Sequence, residues 1–170
     1  TIVIENKIVL VGINSNYKID SAAGEGYIVT TQFIQELSQL KASLKNETLQ
    51  YVICVHHNMS AGYENKAAGQ WDFDNRKELL PELQNNDIKL ILCGNEHTAN
   101  DRNLFASSIY ISDSGTLTST NSQASFKLYP VSVEGKVVLG NRLFNLQTPK
   151  TNEGDYYWNE VSSKNSNQRE

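Results

Sequence analysis

The sequence predicts a layered α/β domain with a mixed sheet, and three features carry that expectation. The runs Tyr51-Val52-Ile53-Cys54-Val55 and Ile88-Lys89-Leu90-Ile91-Leu92-Cys93 have the length and apolar content of buried parallel strands. Each follows a stretch with helical apolar spacing, as in a β-α-β unit. Beyond His97 the pattern changes to short alternating segments, which read as antiparallel strands.

In chain order, Thr1-Ile2-Val3-Ile4 reads as a strand from the first residue, Glu5-Asn6-Lys7 as a turn and 7–13 as a second strand. So abrupt an edge leads us to expect missing sequence upstream. A polar loop, 14–26, follows, with Gly24 and Gly26 as permissive backbone. Thr30 or Thr31 is suited to cap a helix whose Phe33, Ile34, Leu37, Leu40 and Leu44 fall on one face. Strand 50–56 comes next. The loop 58–73, rich in Gly, Ala and Asn and carrying Tyr63 and Trp71, is either a lid over a site or a tolerated insertion. Asp74 is a good N-cap for a helix through Leu79, Leu80 and Leu83, with Pro81 kinking it or opening its last turn, and strand 88–93 completes the second unit. Then 108–112, 125–129 and 131–133 alternate, and Glu134-Gly135 turns into 136–139. Residues 1–146 are expected to form the domain and 147–170 a polar tail or linker, since 162–170 has too little apolar area to offset its ordering entropy.

At 170 residues, one domain with an ordinary core accounts for the chain. A net charge of -4 and a pI near 5.4 argue against a surface built to bind a nucleic-acid backbone. Cys54 and Cys93 fall inside apolar strands and read as buried reduced thiols, the cysteine usage of a cytoplasmic protein. No run approaches the ~18 apolar residues of a membrane span, so no membrane partner is expected.

All three histidines lie at the ends of the two central strands: His56-His57 after the first, His97 in Gly94-Asn95-Glu96-His97 after the second. Ligands gather beyond the carboxyl ends of parallel strands, and imidazole is both a common metal ligand and a group that titrates near neutral pH. The placement reads as metal or acid–base chemistry, the alternative being three histidines scattered on surface loops.

At these residues the chain resembles the C-terminal half of the calcineurin-like metallophosphoesterases. In that family one strand ends in His-His and a later one in Gly-His-x-His; here the segments are Val52-Ile53-Cys54-Val55-His56-His57-Asn58 and Leu90-Ile91-Leu92-Cys93-Gly94-Asn95-Glu96-His97. The likeness extends more loosely to 8–13 with Asn14-Ser15, to Asp113-Ser114-Gly115 and to the closing hairpin. It implies a partial metallophosphoesterase-type α/β sandwich and a parent that hydrolyses a phosphomonoester or phosphodiester with two divalent metals (Mn, Fe or Zn). By resemblance His56 binds one metal and His97 the other, Asn95 stands in a ligand position, and His57, behind the ligands or against substrate, is the catalytic candidate.

Two departures qualify that. Asn95 takes the place of the first histidine of Gly-His-x-His, and an amide oxygen is a weaker ligand than imidazole. The Asp-x-His, Gly-Asp and Gly-Asn-His motifs that open the family's domain have no counterpart, and each ion of such a centre needs about three or four protein groups. The expectation is therefore an inactive part of a phosphoesterase, holding metal weakly or not at all, whose partner is the missing N-terminal half of the domain. The alternative is a degenerate metallophosphoesterase fold kept as a binding or assembly module of a larger protein. A third reading is an unrelated α/β protein with a single-metal histidine site.

Overall fold

The computed structural model describes residues 1–5, 7–16, 26–59, 71–95, 99–103, 108–114, 117, 124–130, 142–147 and 157–161. The elements run β1 (Ile2–Ile4), β2 (Ile8–Ile13), α1 (Thr30–Leu44), β3 (Gln50–Val55), α2 (Phe73–Asn85), β4 (Leu90–Cys93), β5 (Ala99–Asn103), β6 (Tyr110–Ser114), β7 (Ser125–Leu128), β8 (Arg142–Gln147) and β9 (Tyr157–Val161).

The layered α/β class with a mixed sheet holds. Six strands lie in the order β1-β2-β3-β4-β6-β5, with β2, β3, β4 and β6 parallel and the two outer strands antiparallel to their neighbours. A second, antiparallel sheet has the order β7-β8-β9. Because β2, β3 and β4 follow one another in one direction across the sheet, right-handed crossovers place α1 and α2 on the same face. Leu37 of α1 and Leu79 and Leu83 of α2 pack there on Val9, Ile53 and Ile91. Ile8, Val52 and Leu90 form a smaller cluster on the opposite face, with Tyr129 packed against it. Tyr129 Oη and Lys127 Nζ both donate to Ser112 Oγ of β6, at 2.7 and 3.1 Å, and tie the second sheet's side of the molecule to the first.

Several local expectations are corrected. The alternation of 108–112 predicts an antiparallel strand; β6 instead runs parallel to β4, because the antiparallel β5 carries the chain back across the sheet. The sequence of β5, Ala-Asn-Asp-Arg-Asn, has no apolar alternation, so the pattern reading placed no strand there. It placed none at β8 or β9 either. Neither Thr30 nor Thr31 caps α1: the N-cap is Val29, without a side-chain hydrogen bond, and the Thr30 hydroxyl accepts from Asn75 Nδ2 at 3.3 Å. Asp72, not Asp74, caps α2, accepting from the Asn75 N–H at 2.8 Å; Asp74 stands in the first turn, where its charge complements the helix dipole. The helix continues through Pro81 to Asn85. Lys41 of α1 donates to the Asn86 carbonyl at the end of α2, at 2.7 Å, and burial lowers its pKa against the opposing charge of Asp87.

Both cysteines are free thiols, with burial raising the Cys54 pKa. Among the described residues no helix is long and apolar enough to cross a membrane. The hairpin expected at 131–139 and the tail 162–170 lie outside the described residues.

Candidate functional site

The four parallel strands deliver their carboxyl ends to one edge of the sheet, and each end carries a polar group. Beyond β2 stands Ser15, beyond β3 His56 and His57, beyond β4 Gly94 and Asn95, and within the end of β6 Asp113, fully buried and in register with Cys93. The Gly94 N–H donates to the His56 carbonyl at 3.0 Å, which locks together the two chain turns that hold the sequence-predicted ligands. Asn95 has φ of 78°, the left-handed region that asparagine tolerates better than most residues. The structure thus brings His56 and Asn95 to neighbouring strand ends. His97 and Glu96 lie outside the described residues.

The two adjacent imidazoles have opposite environments. His56 is exposed; its ring meets that of His57 edge to face, with centroids 4.9 Å apart. His57 is only 2% exposed, and its Nδ1 shares a hydrogen bond of 2.6 Å with Ser15 Oγ, itself 2% exposed. This bond joins the ends of β2 and β3 through two groups that would otherwise be costly to bury.

The wall over His57 is built by Gly26 and Trp71. A Cβ on Gly26 would lie 2.5 Å from His57 Cβ and 2.8 Å from a Trp71 ring carbon, so only glycine lets the backbone approach the imidazole this closely. Asn75 holds that wall in place. Its Oδ1 accepts from the Ile28 N–H at 3.1 Å and from Trp71 Nε1 at 3.0 Å, and its Nδ2 donates to the Ile28 carbonyl at 2.8 Å. The start of α2 is thereby fastened to the segment entering α1. Trp71 is 5% exposed and belongs to the core; Tyr63 and the rest of 60–70 lie outside the described residues.

Sequence reasoning named the histidines and missed what surrounds them. Gly26 was read as loop flexibility when its use is close approach, and Asn75 was overlooked, although a tryptophan four residues before an asparagine at a helix start is the spacing that lets the two meet.

The donor set does not fit a two-metal centre. His56 and Asn95 are one imidazole and one amide, His57 is turned to Ser15, and Asp113, Glu96 and His97 would bring the count to five groups for two ions that each need about three or four.

No family model matches the chain, and no curated protein sequence matches it. Among solved structures, the chain is similar to a Vps29 double mutant from Entamoeba histolytica at 10% identity and TM-score 0.32, covering 81% of this chain and 91% of that one. Wild-type Vps29 from the same organism, complexed with zinc, gives 11% identity and TM-score 0.32 over 91% of this chain and 97% of that one. Vacuolar protein sorting 29 from Cryptosporidium parvum gives 13% identity and TM-score 0.30 over 92% and 97%. At this level of superposition the likeness carries no argument about activity or partners.

Proposed function

We propose that this chain is the C-terminal part of a metallophosphoesterase-type domain that works as a binding or assembly module of a larger protein, its partner being the polypeptide that completes the domain. The observation that carries this reading is the packing of His57. An imidazole that moves protons for a substrate needs a face open to it. Here the ring is buried, bonded at 2.6 Å to a buried serine and walled by Gly26 and Trp71, the environment of a group that fastens two strands together. Asn95 in a ligand position points the same way, since an amide holds a transition metal less well than imidazole.

A second reading keeps the parent as a phosphoesterase with Mn, Fe or Zn and a phosphoester substrate. One observation favours it: the Gly94-to-His56 hydrogen bond sets the His56 and Asn95 turns side by side, as ligands shared between two strand ends would be. In that case His56, Asn95 and His97 hold what metal this half contributes.

Turnover of bis-(p-nitrophenyl) phosphate and p-nitrophenyl phosphate with added manganese, iron and zinc, together with bound metal measured by elemental analysis, separates the two. For the module we expect no metal-stimulated turnover and no stoichiometric metal, with His57→Ala reading out as lost stability. Stimulated turnover that disappears in His56→Ala would overturn the module reading and favour the enzyme.

A further inference from the structure

At the amino edge of the sheet, away from the histidines, a cavity of about 570 Å³ opens where α1 and α2 both end. Lys45, with φ of 48°, turns the chain out of α1 toward β3, and Asp87, with φ of 60°, turns it out of α2 toward β4. Both turns line the cavity, with Ala42 on the α1 side and Leu49 and Tyr51 on the β3 side. The volume falls within the roughly 300–1,000 Å³ of small-molecule sites, so the space admits an organic molecule and not only a bare ion.

Two lysines line this space with little to neutralise them. The Lys41 ammonium spends two of its three N–H groups on Asn86, donating to the carbonyl at 2.7 Å and to Oδ1 at 3.3 Å, and stands 5.2 Å from the centre of the Tyr51 ring. Among the described residues no carboxylate lies within ion-pair distance of it. Burial lowers its pKa, and the charge of Asp87 offsets this only in part. Asp87 is itself engaged with Lys89 at 2.7 Å, and its side chain is 84% exposed. The Lys45 ammonium, four residues on, makes no hydrogen bond or ion pair among the described residues. A chain of net charge -4 thus keeps a surplus of one positive charge here, Lys41, Lys45 and Lys89 standing against Glu47 and Asp87.

We propose that this cavity binds a small monocarboxylate with an apolar body, its carboxylate held between the Lys41 and Lys45 ammoniums and its body against Leu49 and Ala42. One negative charge matches the surplus. A phosphate ester, with nearly two, meets the carboxylate of Glu47 and the carbonyl ends of both helices, where the helix dipoles are negative. The half-buried Leu49 offers apolar surface that an inorganic anion leaves uncovered. The site lies at the opposite end of β3 from His56, and neither the module nor the enzyme reading bears on it.

The test titrates benzoate and inorganic phosphate into the isotope-labelled chain and follows its amide resonances. Benzoate should shift the signals of Lys45, Leu49 and Tyr51 along a saturating curve with a Kd on the order of 1 mM, the range open to so few atoms, and phosphate should bind more weakly. Lys41→Gln and Lys45→Gln should each weaken benzoate roughly two- to fivefold, as for a solvated ion pair. Ala42→Phe, which keeps both charges and fills the cavity, should abolish saturation. Ala42 is exposed on α1, so this variant and Lys45→Gln decide the matter even where Lys41→Gln, deprived of its bond to Asn86, fails to fold. Shifts that never saturate, equal binding by Ala42→Phe, affinity unchanged in Lys45→Gln, or phosphate binding as tightly as benzoate would overturn the proposal.

Discussion

The two faces of the parallel sheet are finished to different degrees. On the helix side, Val9, Ile53, Ile91 and Ile111 are at most 1% exposed, and each of the parallel strands β2, β3, β4 and β6 contributes one of them. On the other side Val52 and Leu90 are buried, while Leu10, Cys54 and Leu92 stay half-buried and Gly12 is exposed. The reason is connectivity. Both crossover helices are forced onto one face by handedness, so that face is completed by elements close in sequence. The opposite face is covered where Tyr129 and Lys127 reach Ser112, above β6, and around the buried Ile8, Val52 and Leu90, while the rest of it stays partly open. The helix face is where stability is concentrated, and the other face keeps apolar side chains only half-buried.

The largest test of this contrast compares one leucine from each side. Leu79→Ala removes a fully buried side chain from beneath α2 and should cost about 2–5 kcal/mol. Leu92→Ala, half-buried on the opposite face, should cost about 1 kcal/mol. Urea unfolding gives both values. Equal losses would mean that the two faces are equally consolidated and would end the argument for an unfinished side.

A second substitution sharpens the picture at the carboxyl edge. Gly26→Ala places a methyl within 2.5 Å of His57 Cβ and 2.7 Å of its Cγ, so the imidazole or the Trp71 wall has to move. We expect a loss of about 1–3 kcal/mol, as for an overpacked core, together with a shift of the His57 ring resonances as its bond to Ser15 opens. An alanine variant with wild-type stability and unchanged His57 signals would show that the wall is soft and that His57 is free to act on a ligand.

Sequence pattern reached these two regions unequally. The strands β2, β3 and β4 and both helices were legible because burial imposes a period that apolar residues betray: Leu79 and Leu83 four apart, and Val52 through Val55 unbroken. The histidines were legible as a site because strand ends are where a sheet presents side chains. What escaped was set by tertiary contact. β5 pairs through its backbone with polar side chains, and the N-caps of both helices shifted because Asn75 takes up the Thr30 hydroxyl and Asp72 holds the Asn75 N–H. The burial of His57 was illegible too. Its neighbour in sequence, His56, is exposed, and only the approach of Ser15 and Gly26 from distant segments separates the two.

The smallest effect is expected in the second sheet, and its dependence on pH makes it distinguishable from the others. There Arg142 of β8 grips Glu160 of β9, with Nε donating to Oε1 at 2.7 Å and a second guanidinium nitrogen to Oε2. The hydrogen bond from Arg142 holds the Glu160 pKa below its ordinary value, and the same bond raises that of Arg142. Because the folded carboxylate binds its proton less readily than the unfolded one, its contribution is fully present above the ordinary value of 4.5 and is lost as pH falls through the lower folded value. Both groups are solvated, so the contribution is small and screened by salt. Wild type should therefore melt slightly above Glu160→Gln at neutral pH and low ionic strength, and the gap should close on acidification below 4.5 or in 1 M salt. The deficit of Leu79→Ala relative to wild type should survive both treatments, since apolar packing carries no charge to titrate. A Glu160→Gln deficit that persists in acid would place its origin in the packing of β9, whose Trp158 meets Phe126 edge to face at 4.7 Å, and would make this outer sheet a consolidated layer like the helix face.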